Sequence, residues 1–167
     1  ERPATVTQEV RRSRIIEAAI DCLTRDGWHG TTLGAIAREA GISRSLISYH
    51  FAGRDDLHRA VLESVATTVF DAGSAETERA IDAESTARGK LQAYISANLR
   101  FIGTHRREMA ALNELLPNLR RDDGTHRYTG ADEEPIITGT AALFEHGVAT
   151  GEFRALDTRM AAYTLRR

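Results

Sequence analysis

The tripeptide Ala40-Gly41-Ile42 constrains this chain more than any other feature. It joins two short amphipathic segments, and glycine alone takes a left-handed turn at little cost, so the chain must fold back on itself there. In TTLGAIAREAGISRSLISYHFAGRDDL, residues 31–57, Leu33, Ile36, Ala37 and Ala40 recur at helical spacing and make one inner face. Thr31 or Thr32 is placed to cap that helix, and Ser43 to cap the next one, which runs to about His50. This is the layout of a helix-turn-helix, a unit that seats its second helix in the major groove of DNA.

The remainder keeps the helical period, and no segment alternates long enough for a convincing strand. Ile15, Ile16, Ala19, Ile20 and Leu23 form a stripe that Gly27 closes. A fourth helix begins near Arg54, with Asp55 and Asp56 in its first turn and Leu57, Val61, Val65 and Val69 along one edge. Gly73–Arg88 is polar and reads as a short helix between loops. Leu91, Tyr94, Ile95, Asn98, Phe101, Ile102 and His105 share a face. Met109, Leu112, Leu115 and Leu116 follow on a helix that Pro117 ends. Residues 120–134 are charged and read as a mobile loop. Pro135 opens the next helix, with Ile136, Ile137, Thr140, Leu143 and Phe144 inside and Gly147 and Gly151 at its end. Asp157 caps a last helix whose inner positions are Met160, Ala161, Tyr163 and Leu165. The expected fold is all-α, with about nine helices. A three-helix head at residues 1–53 precedes a helical bundle at 54–167.

A helix-turn-helix needs a buried ridge, and Leu33, Ile36, Ala37, Ile42, Leu46, Ile47 and Phe51 supply one, with Leu46 and Phe51 read as core. It also needs outward polar groups on the second helix, here Arg44, Ser45, Ser48 and Tyr49. Donors that hold phosphates set the register while base edges set the sequence. Thr32, Ser43, His50 and Arg54 are candidates for that role.

Gly27, Thr31-Thr32, Ile36-Ala37, Ala40-Gly41-Ile42-Ser43, Ile47, Tyr49-His50-Phe51, Arg54 and Leu57 stand at offsets that resemble the tetracycline-repressor (TetR) family of bacterial transcriptional regulators. The resemblance covers roughly residues 11–60; beyond, the helical pattern and Gly151-Glu152-Phe153 merely agree with it. Where an aromatic is usual the chain has Ser48, with Tyr49-His50 following, and Arg54 replaces the usual lysine. The resemblance implies a homodimeric repressor that binds an inverted-repeat operator in double-stranded DNA and leaves it when a small molecule binds. It also implies a dimer face on the last two helices.

Charge permits this reading without demanding it. Residues 1–60 carry nine arginines against eight acidic groups, within a chain of net charge -2; a local field depends on placement. Tyr94, Asn98, Phe101, His105, Asn113 and Phe144 are polar or aromatic members of apolar faces and are candidate contacts for the effector. The six histidines and single cysteine show no metal-ligand spacing, and no nucleophile-base or phosphate-loop motif marks an enzyme. No metal, cofactor or catalytic residue is expected. Cys22, a small buried hydrophobe by its position, fits a reducing cytoplasm. No signal peptide or membrane-spanning run is visible. The chain opens at Glu1 and stops inside a helical pattern at Arg167, so trimmed ends are expected. A ligand-independent regulator or activator of the same fold, or a helical interaction module without DNA binding, is the alternative.

Overall fold

The Gly41 turn forms as its sequence demands. In the computed structural model, which describes residues 6–121 and 123–166, Gly41 is left-handed at φ 64° and ψ 38°. It ends α2 (Leu33–Ala40) and leads into α3 (Arg44–His50). Thr32 caps α2, its hydroxyl accepting from the Ala35 amide at 3.1 Å. Thr31 is instead buried and donates to the Gly27 carbonyl at 2.7 Å. Ser43 caps α3 through the Leu46 amide at 3.2 Å. Before them α1 (Val6–Gly30) breaks its helical run at Gly27, with φ 68°. After them come α4 (Arg54–Ala66) and a π-helical segment, Thr67–Ala72.

The later helices are α5 (Gly73–Asp82), α6 (Ala87–Thr104), α7 (Arg106–Leu115), α8 (Gly130–Ala149) and α9 (Thr158–Arg166). Among the described residues the elements are thus all helices, and the one β pairing is an isolated bridge, Arg120 with His126. They fall into two compact units: residues up to Phe70 with His105–Arg127, and Asp71–Thr104 with Tyr128 onward.

In the first unit, α1, α2, α3, α4 and α7 share one core. Ile15, Ala19 and Leu23 of α1 meet Ile36 of α2, Ile47 of α3, Leu57 and Val61 of α4 and Leu115 of α7, all buried. Apolar burial of this kind, about 25 cal/mol per Å², is what holds short helices that would be marginal alone. Phe51 is buried, but Leu46, expected in the core, is only half-buried. It lies one residue before Ile47, which takes the inward direction. Polar ties reinforce α7 against α1: Arg107 reaches Asp21 at 2.6 Å and Glu17 at 2.8 Å.

In the second unit α5 packs on α6, α6 on α8 and α8 on α9. Gly73 lets the Phe101 ring approach its backbone. Glu152 accepts from the Ala87 and Arg88 amides at 2.8 and 3.0 Å, capping α6 from the turn that follows α8. Asp157 caps α9 through the Met160 amide at 2.9 Å.

Four further expectations need correction. The charged stretch 120–134 is not all loop: α8 starts at Gly130, because Thr129 and Asp132 form a reciprocal capping box ahead of Pro135. Gly147 does not end α8 but lies buried within it, where the Phe153 ring packs against its missing side chain. Ile102 is 44% exposed, since Ala97 and Phe101 take the inner positions of α6. On α9 the small Ala162 is buried, while Met160, Tyr163 and Leu165 stay exposed.

Candidate nucleic-acid interface

Seven residues of α3 divide cleanly by direction. Ile47 is fully buried, whereas Arg44, Ser45, Ser48 and Tyr49 are exposed, Tyr49 to 69%. An exposed tyrosine on a short helix otherwise lined with serines leaves room for a groove wall on either side. Ser43 is exposed too, and its hydroxyl pairs with that of Ser45 at 2.9 Å. Ser48 donates to the Arg44 carbonyl at 3.3 Å. Such back-bonding keeps the serine side chains close to the helix. Thr32 is exposed at the start of α2. The exposed amide ends of α2 and α3 add the partial positive charge of helix N-termini.

Part of the acidic charge of the first unit is paired within it. Arg25 pairs with Asp26 and Glu39 at 2.9 and 2.7 Å, and Arg107 with Glu17 and Asp21. Four acidic groups are thereby matched. Asp56 is also engaged, accepting from the Ala52 amide at 2.9 Å. Arg11, Arg14, Arg38 and Arg44 remain exposed.

His50 and Arg54 are placed differently from the other candidates. His50 is half-buried, edge-on to Tyr49 with 5.1 Å between ring centroids. Its Nε2 is buried with no hydrogen-bond partner among the described residues. Arg54 lies over the Trp28 ring, 4.8 Å from its centroid, and donates to the Trp28 carbonyl. The Trp28 amide in turn donates to Glu114 of α7 at 2.7 Å. Trp28 also contacts His58, with ring centroids 4.3 Å apart. His58 is fully buried, and neither ring nitrogen has a partner among the described residues. Burial, and then the charge of Arg54, push its pKa down to about 4. Sequence reading missed this Trp28–Arg54–His58–Glu114 group. The only signal was a tryptophan directly after the helix-breaking Gly27, because its partners lie 26 and 86 residues away.

The six candidate effector contacts are not gathered in one unit. His105 and Asn113 belong to the first. Asn113 is exposed because α7 packs through Ala111, Leu112 and Leu115. Tyr94, Asn98, Phe101 and Phe144 belong to the second. There Thr140 donates to the Ile136 carbonyl at 2.8 Å and so accepts from the Tyr94 hydroxyl at 3.0 Å, Asn98 donates to the Tyr94 carbonyl at 2.8 Å, and Phe144 meets Phe153 at 6.3 Å. An open cleft of about 690 Å³ between α8 and α9 is lined by other residues, among them Glu133, Glu134, Tyr163 and Arg166. No group of His, Cys, Asp and Glu among the described residues is arranged to hold a metal. No helix among them is long and apolar enough to cross a membrane.

Comparison with known proteins agrees with this geometry. Residues 15–61 match the family model described as bacterial regulatory proteins, tetR family. The chain is 33% identical over 96 residues to the HTH-type transcriptional regulator BetI of Paraburkholderia phymatum, covering 58% of this chain and 47% of that protein. BetI of Burkholderia cenocepacia gives the same identity over 48% of its length. The chain thus spans about half the length of the curated relatives it matches. Among solved structures, the ketosteroid transcriptional regulator KstR2 of Mycobacterium tuberculosis superposes with a TM-score of 0.74 at 21% identity, over 93% of this chain and 78% of that one. A TetR-like transcriptional regulator from Rhodococcus gives 0.69 at 21% identity, over 98% and 80%. At these identities the structural likeness establishes the all-helical fold, with its N-terminal helix-turn-helix and C-terminal helical part.

Proposed function

We propose that the chain is a member of the tetR family of bacterial regulatory proteins, whose model its residues 15–61 match, and that it is a sequence-specific DNA-binding transcriptional regulator, a homodimeric repressor released by a small molecule. One observation carries the reading: α3 buries Ile47 and turns Arg44, Ser45, Ser48 and Tyr49 outward. Arg44 and Tyr49 read base edges, while Thr32 and Ser43, exposed at the starts of α2 and α3, hold the backbone. Residues 1–53 act as the DNA-binding domain, and residues 54–167 bind the effector and dimerise.

Dimerisation through α8 and α9 accounts for Met160 at 60% exposure and for Tyr163 and Leu165 beside it. Gly139 has open space where a Cβ would stand, which suits close helix approach. Tyr94, Asn98, Phe101 and Phe144 form the effector contacts. Effector binding is read out along α4, whose continuation Thr67–Ala72 carries the chain from the first unit into the second. A coupling of about 1–3 kcal/mol suffices for such a switch. The protein works in the cytoplasm, where its operator lies.

Fluorescence anisotropy tests the reading. A duplex recovered from a random pool by the chain should bind at least about a thousandfold tighter than a scrambled duplex at physiological salt. Equal binding to both would refute sequence-specific recognition.

A further inference from the structure

The exposed Tyr49 is not left to rotate freely. The Gln8 side-chain amide, on the first turn of α1, donates to the Tyr49 hydroxyl at 3.2 Å. One turn further along α1, Arg12 donates to the His50 carbonyl at 3.0 Å and lies 4.2 Å over the Phe51 ring. The partners are 41 and 38 residues apart, so the start of α1 braces the far end of α3 at two adjoining points. The brace answers a physical need. A seven-residue helix has carbonyls at its C-terminal end with no partner inside the helix, and a cation there suits the helix dipole.

The direction of the Gln8 bond has a chemical consequence. The amide N–H occupies an acceptor site on the phenol oxygen, so the phenol's own proton points elsewhere, away from Gln8. Held this way, Tyr49 presents a hydrogen-bond donor to the outside. We propose that Gln8 is a positioning residue for sequence reading, fixing Tyr49 as a donor toward acceptor atoms on the major-groove edge of the bound duplex. Such acceptors are purine N7, guanine O6 and thymine O4. The proposal rests on the DNA-binding reading above and extends the interface to α1. Arg12 supports the helix end on which Tyr49 sits, and Gln8 sets the orientation of the ring.

The test compares Gln8→Met, Gln8→Lys, Tyr49→Phe and the Gln8→Met/Tyr49→Phe double variant by anisotropy. The probes are the duplex that the wild-type chain recovers from a random pool and a scrambled duplex. Thermal melting checks that each variant folds. Gln8→Met has nearly the same shape but no donor, and should lower the ratio of recovered to scrambled affinity by roughly three- to tenfold, the cost of ordering one free side chain on binding. Gln8→Lys restores a donor and should recover the ratio, while its charge tightens both duplexes alike. In the Tyr49→Phe background Gln8→Met should change nothing further. An unchanged ratio in Gln8→Met, equal weakening on both duplexes, or a full additional loss in the double variant would overturn the proposal while the DNA-binding reading stands. A wild-type chain that prefers neither duplex would remove that reading, and the proposal with it.

Discussion

Arg44 and Tyr49 are the two large side chains that α3 exposes, and their truncation has a defined cost. Arg44→Ala and Tyr49→Ala should each weaken binding to the recovered duplex by about 1–3 kcal/mol if they meet base edges, with little change on a scrambled one. Unchanged affinity in both, measured by anisotropy, would take α3 out of the interface. His58 makes a second prediction. Its buried ring takes a proton only near pH 4, whereas an unfolded histidine does so near 6.5. Below 6.5 the unfolded chain binds the proton first, so stability is full above that pH and falls as pH drops toward 4. The slope approaches about 1.4 kcal/mol per pH unit. Melting at pH 7 and pH 5 should show a larger drop for the wild type than for His58→Leu, and equal drops would contradict the account. Arg54 shares this environment. Its contacts to Trp28 mean that Arg54→Ala changes the packing of the head as well as its charge.

At the scale of the helix, local signals were readable where one residue decides the backbone. Gly27, Gly41, Ser43 and Asp157 end or cap helices where their chemistry predicts. The start of α8 was missed because Pro135 is a loud signal and the Thr129–Asp132 capping box a quiet one inside a charged stretch. Gly147 was misread because a glycine near a helix end suggests termination, and nothing local reveals the Phe153 ring folding back on it. A Cβ there would overlap that ring, so Gly147→Ala should destabilise the second unit by about 1–3 kcal/mol. A melting temperature equal to the wild type's would show that Phe153 moves aside freely. The face of α3 was legible because it depends on sequence spacing alone. Its braces, Gln8 and Arg12 from α1, were not, and neither were the ties that Arg107 and Glu114 of α7 make to α1. They join residues 38 to 90 apart, and periodicity carries no information about which distant side chains meet.

For the whole molecule, the claim that matters is symmetry. A homodimer offers two α3 helices, and both engage one duplex only if its half-sites lie one helical turn apart, about 34–36 Å. Met160, Tyr163 and Leu165 are exposed on α9, and the proposed homodimer would cover them with a second copy. A matched pair of heads ties operator sequence to quaternary structure, since each half-site repeats the other in reverse. Selection of bound sequences from a random duplex pool measures this directly. The account predicts enrichment of an inverted repeat with half-site centres about 10 base pairs apart or a multiple of that. Recovery of no common sequence, or of a single half-site without its inverted mate, would contradict it.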